Sequence, residues 1–115
     1  MQMITIYHNP LCKKSRAGVQ YLQSKGIAFS IVEYLKDHFS EKELEILLTK
    51  LNKKPSEIVR TQEEYYKKNL KGKQFSDHEW IRILIQNPRL IQRPIVEKKY
   101  KAVIGDPLEN IDLIL

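Results

Sequence analysis

Apolar residues at the start of the chain repeat with two different periods, and each period predicts a different element. Residues 3–7 form a short β-branched run that Pro10 closes, which is typical of a buried strand followed by a turn. Residues 15–25 place apolar side chains near one helical face, and Gly26 stands where a left-handed C-terminal cap is expected. The β-rich residues 27–34 complete a βαβ unit, whose two strands are predicted to be parallel.

The middle of the chain lacks this strand pattern and repeats a helix-start signal instead. In this signal, the capping box, a hydroxyl side chain at the helix start and a carboxylate three residues later each accept a backbone N–H. Capping boxes occur at Ser40 with Glu43, at Thr61 with Glu64 and at Ser76 with Glu79. They predict a helical insert over about residues 37–88.

The last third of the chain returns to strands. Residues 95–97 and 102–104 predict a β-hairpin, because only a short charged segment separates them. Asp106 and Pro107 predict the start of a final helix, with Asp106 as its capping carboxylate. The predicted fold class is therefore α/β, with βαβ and ββα segments on either side of a helical insert between the second and third strands. We expect a single domain over residues 1–115.

Composition narrows the class of protein and its partners. Hydrophobic residues make up 42% and charged residues 30% of the 115 positions, which excludes collagen and a wholly disordered chain. Lys and Arg number 20 against 14 Asp and Glu, and the net charge of +6 favours anionic partners. No stretch approaches the ~20 apolar residues of a membrane span, and the N-terminus has no signal pattern. With a single cysteine as well, we expect a cytoplasmic protein without a membrane partner.

The cysteine, Cys12, falls between the first predicted strand and the first predicted helix. Its sulfur is therefore expected at a helix N-terminus, where unpaired N–H groups and cations lower the pKa of a thiol. Ser15 can turn its hydroxyl towards the sulfur, and His8 could help to stabilise the thiolate. The nearby cations are Lys13, Lys14 and Arg16.

Each of these residues also has a purely structural interpretation. Cys12 could be a small buried apolar residue, and His8 could be a packed residue at a strand end. The position of Cys12 after Pro10 in a turn, followed by three polar residues, favours a reactive thiol. A metal site is not expected, because one cysteine and three scattered histidines have no ligand spacing.

Two arginines stand at predicted element boundaries. Arg93 precedes Pro94, which disfavours helical backbone at Arg93 and is compatible with a cis peptide bond at the start of a strand. Arg60 lies just before a predicted capped helix. Both arginines have two interpretations at this point, a ligand-binding side chain or an ordinary residue of a loop.

Four segments of the chain together resemble the glutaredoxin-coupled arsenate reductase family. They are residues 4–16 (ITIYHNPLCKKSR), Arg60, residues 92–96 (QRPIV) and residues 104–111 (IGDPLENI). The match spans the whole chain, and its first segment is highly specific. The resemblance implies a thioredoxin-like fold that carries a helical insert.

The same resemblance implies roles for individual residues. Cys12 would be the nucleophile, His8 and Ser15 would sustain its thiolate, and Pro94 would be the cis-proline of the fold. The oxyanion-binding arginines would be Arg16, Arg60 and Arg93.

The implied reaction is reduction of arsenate, or of a related oxyanion, through an adduct on Cys12. Because the chain has one cysteine, the second thiol must come from outside. External glutathione would resolve the adduct and glutaredoxin would then remove the mixed disulfide. No bound cofactor and no nucleic acid are expected.

One departure from the family pattern bears on the substrate. Arsenate-reducing members carry a third arginine where this chain has Asp106, a carboxylate that would repel arsenate if it faced the site, or would cap the last helix. Two alternatives therefore stay open: a glutathione-dependent thiol reductase that does not act on arsenate, and a regulator like the Spx-type proteins that bind RNA polymerase. Those regulators have a second cysteine where this chain has Ser15. A basic surface that meets an acidic protein would use Lys67, Lys68, Lys71 and Lys73.

Overall fold

The computed structural model describes residues 3–115, which form two compact units. The sheet unit contains the residues up to Asp37 together with Arg93–Leu115, and the helical unit is His38–Gln92. The helical unit thus interrupts the sheet unit, close to where residues 37–88 were predicted as an insert. The assignment of the whole chain to a single domain stays a prediction.

The sheet unit is a four-stranded mixed sheet with helices. The strands lie in the order β2-β1-β3-β4; β1 and β2 are parallel, and β3 is antiparallel to both β1 and β4. This arrangement confirms the predicted α/β fold of thioredoxin-like type. The elements are β1 (Ile4–Tyr7), α1 (Lys13–Ser24), β2 (Phe29–Val32), β3 (Ile95–Lys98), β4 (Lys101–Ile104) and a final 3-10 helix (Leu108–Ile114).

The core of the sheet unit lies where α1 and the final 3-10 helix pack on the sheet. Ile6 of β1, Leu22 of α1 and Ile111 of the 3-10 helix have no exposed surface and share one apolar cluster. Each such side chain contributes roughly 1.5–3 kcal/mol by leaving water. Gly26 has a φ of 66°, and its N–H donates to the carbonyl of Gln23, which confirms the predicted left-handed end of α1.

The helical unit contains two regular helices, α2 (Glu41–Leu51) and α3 (Asp77–Gln86). Both begin with the predicted capping boxes, at Ser40 with Glu43 and at Ser76 with Glu79, and both boxes are formed completely. The 3-10 segment Pro55–Ile58 and the π-helical segment Tyr66–Leu70 connect them, and a further 3-10 segment, Pro88–Leu90, follows α3. No helix within residues 3–115 is long and apolar enough to cross a membrane.

The predicted capping box at Thr61 with Glu64 is wrong. The N–H of Glu63 donates to the carbonyl of Arg60, which closes a turn around Thr61 instead of starting a helix there. The Glu64 carboxylate lies 3.6 Å from Lys68 Nζ, so it faces along the π-helical segment and does not cap the chain before it.

The predicted cap of the final helix is also wrong. The helix is 3-10 rather than α, it begins after Pro107, and no side chain caps it. The Asp106 carboxylate accepts a hydrogen bond from Lys14 Nζ at 2.7 Å, a partner that is 92 positions away in the chain. An ion pair formed by the tertiary structure therefore replaces the local cap.

Candidate active site

The turn between β1 and α1 places Cys12 at the start of a helix. The carbonyl of Cys12 accepts the N–H of Arg16 at 3.0 Å, the first hydrogen bond of α1, while its own φ and ψ of −96° and 125° are extended. Cys12 is thus the N-cap residue, as its sequence position predicted. Its side chain is partly buried, at the end of the helix where N–H groups lack helical partners.

The surroundings of Cys12 favour its thiolate. Burial raises the pKa of the thiol, but a hydrogen bond and the positive charge of the Arg93 side chain, together with hydrogen bonds from the backbone of Ser15 and Lys14, outweigh burial. The pKa of Cys12 therefore lies below its ordinary value. Because only the thiolate is a good nucleophile, this shift raises the reactivity of Cys12 near neutral pH.

Ser15 and His8 form a buried pair behind the cysteine. Ser15 Oγ accepts the N–H of Asn9 at 2.9 Å and lies 2.7 Å from His8 Nδ1, and Ser15 has no exposed surface. Burial and, to a smaller extent, the positive charge of Arg16 lower the pKa of His8 more than Glu33 and a hydrogen bond with Ser15 raise it, which favours a neutral ring at pH 7. His8 therefore contacts Ser15, whose backbone bonds to Cys12, so His8 is linked to the cysteine through Ser15.

The Arg93–Pro94 peptide bond is cis, and the Arg93 side chain, just before β3, contacts Cys12. Pro94 packs between two glycines. A Cβ added to Gly18 of α1 would lie 2.8 Å from Pro94 Cγ, and one added to Gly105 would lie 3.2 Å from the same atom. The carbonyl of Pro94 also accepts the N–H of Gly105 at 2.8 Å.

Sequence reasoning missed Gly18 and Gly105. Gly18 carries a signal that could have indicated it, because a glycine inside a helix costs roughly 1 kcal/mol relative to alanine and usually has a packing reason. Here the reason is the close approach of the Pro94 ring to α1.

The remaining predicted residues lie in different surroundings. Arg16 Nη1 donates to the carbonyl of Pro10 at 2.9 Å, on the same turn that carries Cys12. Arg60 belongs to the helical unit, where its guanidinium forms a 2.7 Å ion pair with Glu63. The sheet unit thus brings together one group of predicted residues, namely Cys12, His8, Ser15, Arg16, Arg93 and Pro94.

This arrangement presents a thiol of lowered pKa, a guanidinium and backbone N–H groups within one unit. Such donors bind and neutralise oxyanions, and the thiolate can attack an electrophilic centre held beside it. Across residues 3–115, no group of three or more His, Cys, Asp or Glu side chains could hold a metal ion.

Comparison with known proteins gives consistent matches over the whole chain. The model of the ArsC family matches residues 7–114. An arsenate reductase of Neisseria meningitidis is 36% identical, with 100% of both chains covered. One from Haemophilus influenzae is 39% identical over 97% of this chain and 98% of the relative. An arsenate reductase structure from Vibrio cholerae superposes with a TM-score of 0.92 at 37% identity, covering 99% of this chain and 98% of that one.

Proposed function

The chain belongs to the ArsC family, and on that premise we propose that it is an arsenate reductase whose nucleophile is the Cys12 thiolate. The observation that carries the proposal is the hydrogen bond between Cys12 and Arg93, which lowers the pKa of the thiol. A guanidinium beside the sulfur would also attract an oxyanion. Relatives that are named arsenate reductases, similar along their full length, support the proposal.

Substrate binding in this proposal uses the guanidinium groups. Arg93 contacts Cys12, and Arg16 bonds to the turn that carries Cys12. Planar guanidinium donors bind oxyanions through paired hydrogen bonds. Arg60 is proposed as a third ligand. Its ion pair with Glu63 means that the oxyanion and this carboxylate would compete for the same guanidinium.

The first chemical step forms a sulfur–arsenic bond. The Cys12 thiolate attacks arsenic(V), and one arsenate oxygen leaves as hydroxide, which takes up a proton to become water. The arsenic is not yet reduced. His8 and Ser15 keep the turn around the sulfur in place, and the arginines offset the negative charge of the oxyanion.

The second step reduces the arsenic. Glutathione attacks the Cys12 sulfur, a disulfide forms between them, and the electron pair of the sulfur–arsenic bond stays on arsenic, which departs as arsenite. Two thiols are oxidised to one disulfide while arsenic(V) becomes arsenic(III). Glutaredoxin then attacks the glutathione sulfur, and Cys12 leaves as a thiolate. The chain has one cysteine, so an external thiol is required for this step.

The test is arsenite production with arsenate, glutathione and glutaredoxin. Wild-type protein should turn over, and Cys12→Ser should be inactive while its circular dichroism and melting temperature stay the same. Parallel assays with thioredoxin in place of glutathione and glutaredoxin identify the reductant. Turnover by the Cys12→Ser variant would contradict the proposed nucleophile.

One observation favours a second candidate, a glutathione-dependent thiol reductase that does not act on arsenate. Asp106 lies on the sheet unit and pairs with Lys14, the second residue of α1, so a negative charge stands close to the start of that helix. A carboxylate there disfavours a dianion. Reduction of a glutathione mixed disulfide without any arsenite production would support this candidate.

A further inference from the structure

Leu11, the residue before Cys12, points an apolar side chain into solvent. It is 82% exposed, and its neighbour Pro10 is exposed as well. Single exposed apolar residues are common on protein surfaces. Leu11 differs from such residues because it directly precedes the activated thiol and because its backbone is held in place.

Three hydrogen bonds fix the turn that carries Leu11. Its N–H donates to Asn9 Oδ1 at 3.0 Å, and the next N–H, that of Cys12, donates to the carbonyl of Asn9 at 3.0 Å. Arg16 Nη1 holds the carbonyl of Pro10 at 2.9 Å. The exposed position of Leu11 is therefore already ordered before any partner binds, which lowers the entropic cost of binding.

The proposed reaction requires a second, thiol-bearing molecule to reach this surface. The chain has a single cysteine, so a second thiol must approach the partly buried Cys12 from outside. Lys13, the next residue, is exposed beside Leu11, and the net charge of the chain is +6. An exposed leucine beside an exposed lysine is complementary to a protein surface that is apolar next to its thiol and acidic further out.

We propose that Leu11 and Lys13 form the docking surface for an acidic protein that carries the reducing thiol. This inference rests on the proposed function, and it adds the surface and the chemistry of the partner. Leu11 packs against the partner beside its thiol, and Lys13 attracts the acidic margin. A small thiol has no surface that could cover Leu11, so it does not depend on either side chain.

The test begins with full-length protein whose Cys12 is already in a mixed disulfide with glutathione, and arsenate is absent. Reduced glutaredoxin is the probe: its thiolate attacks the glutathione sulfur, and Cys12 leaves as a thiolate. Leu11→Asp and Lys13→Glu should each lower the second-order rate constant with glutaredoxin about tenfold. Their rates with dithiothreitol, each corrected for the Cys12 pKa measured in that variant, should stay within about twofold of wild type, because a small uncharged thiol contacts neither side chain.

The chain offers matched controls at the opposite end of the sheet. Tyr100 is 83% exposed and follows Lys99 in the turn between β3 and β4. That turn lies beside Ile4, at the start of β1, whereas Cys12 comes after the end of β1. Tyr100→Asp and Lys99→Glu should leave the glutaredoxin rate unchanged.

Each result bears on the proposal. Unchanged glutaredoxin rates for Leu11→Asp and Lys13→Glu would overturn it, and so would an equal loss with dithiothreitol, which would indicate a damaged site. Added salt should slow the wild-type reaction more than that of Lys13→Glu. Failure of wild-type protein to reduce arsenate contradicts the proposed function but leaves this arsenate-free comparison interpretable.

Discussion

Gly18 and Pro94 are in such close contact that no side chain fits between them. A Cβ at Gly18 would lie 2.8 Å from Pro94 Cγ and 3.2 Å from Ile6 Cδ1. The Pro94 ring cannot rotate away as a flexible side chain does, and it is bonded to Arg93, whose guanidinium contacts Cys12. The small size of Gly18 therefore sets the distance between α1 and the segment that activates the thiol.

Gly18→Ala should destabilise the protein and raise the pKa of Cys12. Overpacking costs about 1–3 kcal/mol, and contact with the rigid Pro94 ring favours the upper part of this range over the ~1 kcal/mol that alanine gains in a helix. A displaced Pro94 would also move Arg93 from the sulfur. Urea unfolding and the pH dependence of Cys12 alkylation measure the two effects. Gln20→Ala, at an exposed position of α1, is the control and should change neither. Increased stability in Gly18→Ala would disprove the packing argument.

Arg93→Gln should shift the alkylation of Cys12 to higher pH. The variant removes a hydrogen bond and a positive charge that lower the pKa of Cys12, so the pKa should rise and less thiolate should be present at pH 7. The midpoint of the rate of reaction with iodoacetamide against pH reports the change. Lys101→Gln removes the same charge at the far end of the sheet and should leave the midpoint in place. An unshifted midpoint in Arg93→Gln would contradict the assigned role of Arg93.

The stability of the protein should fall as the pH drops below about 6.5, the ordinary pKa of histidine. Burial lowers the pKa of His8 in the folded state, so between its folded and unfolded pKa values the unfolded chain binds a proton that the folded chain does not. Melting temperatures against pH should show a weaker dependence for His8→Gln. Gln20→Ala, which changes an exposed residue that does not titrate, is the control and should keep the wild-type profile. Identical profiles for His8→Gln and wild type would show that His8 does not cause the loss of stability at low pH.

Asp106→Asn should lower the KM for arsenate. The change removes a carboxylate that pairs with Lys14, and leaves the lysine charge available to an oxyanion near Cys12. Both side chains are largely exposed, so we expect a two- to fivefold effect, about 0.4–1 kcal/mol. Steady-state kinetics with phosphate as a competitor measures it.

The control for this prediction is Asp112→Asn. Asp112 pairs with Lys25 and Tyr21 at the other end of α1, so its loss removes one carboxylate without changing the start of the helix. A KM that is unchanged in Asp106→Asn, or lowered equally in Asp112→Asn, would show that the charge of Asp106 does not act on the substrate.

Interactions between residues close in the chain could be predicted from the sequence. The capping boxes at Ser40 and Ser76, the left-handed Gly26 and the position of Cys12 at the start of α1 all depend on neighbours within four positions. Strand patterns likewise predicted the parallel pair of β1 and β2 and the hairpin of β3 and β4. Such preferences are encoded locally, because the same few side chains satisfy the same backbone groups in any fold.

Tertiary contacts decided the remaining features, and they overruled local signals worth about 1 kcal/mol. The N–H of Arg60 donates to the carbonyl of Leu90 at 2.6 Å beside the turn where a capping box was expected, and Lys14 binds the carboxylate that was expected to cap the last helix. The contact of Arg93 with Cys12 and the fit of Pro94 against Gly18 join segments far apart in the chain. Sequence alone therefore predicted the position of Cys12 at the start of α1, whereas only the folded sheet unit decided which charges surround it, because charge and packing depend on distance in space.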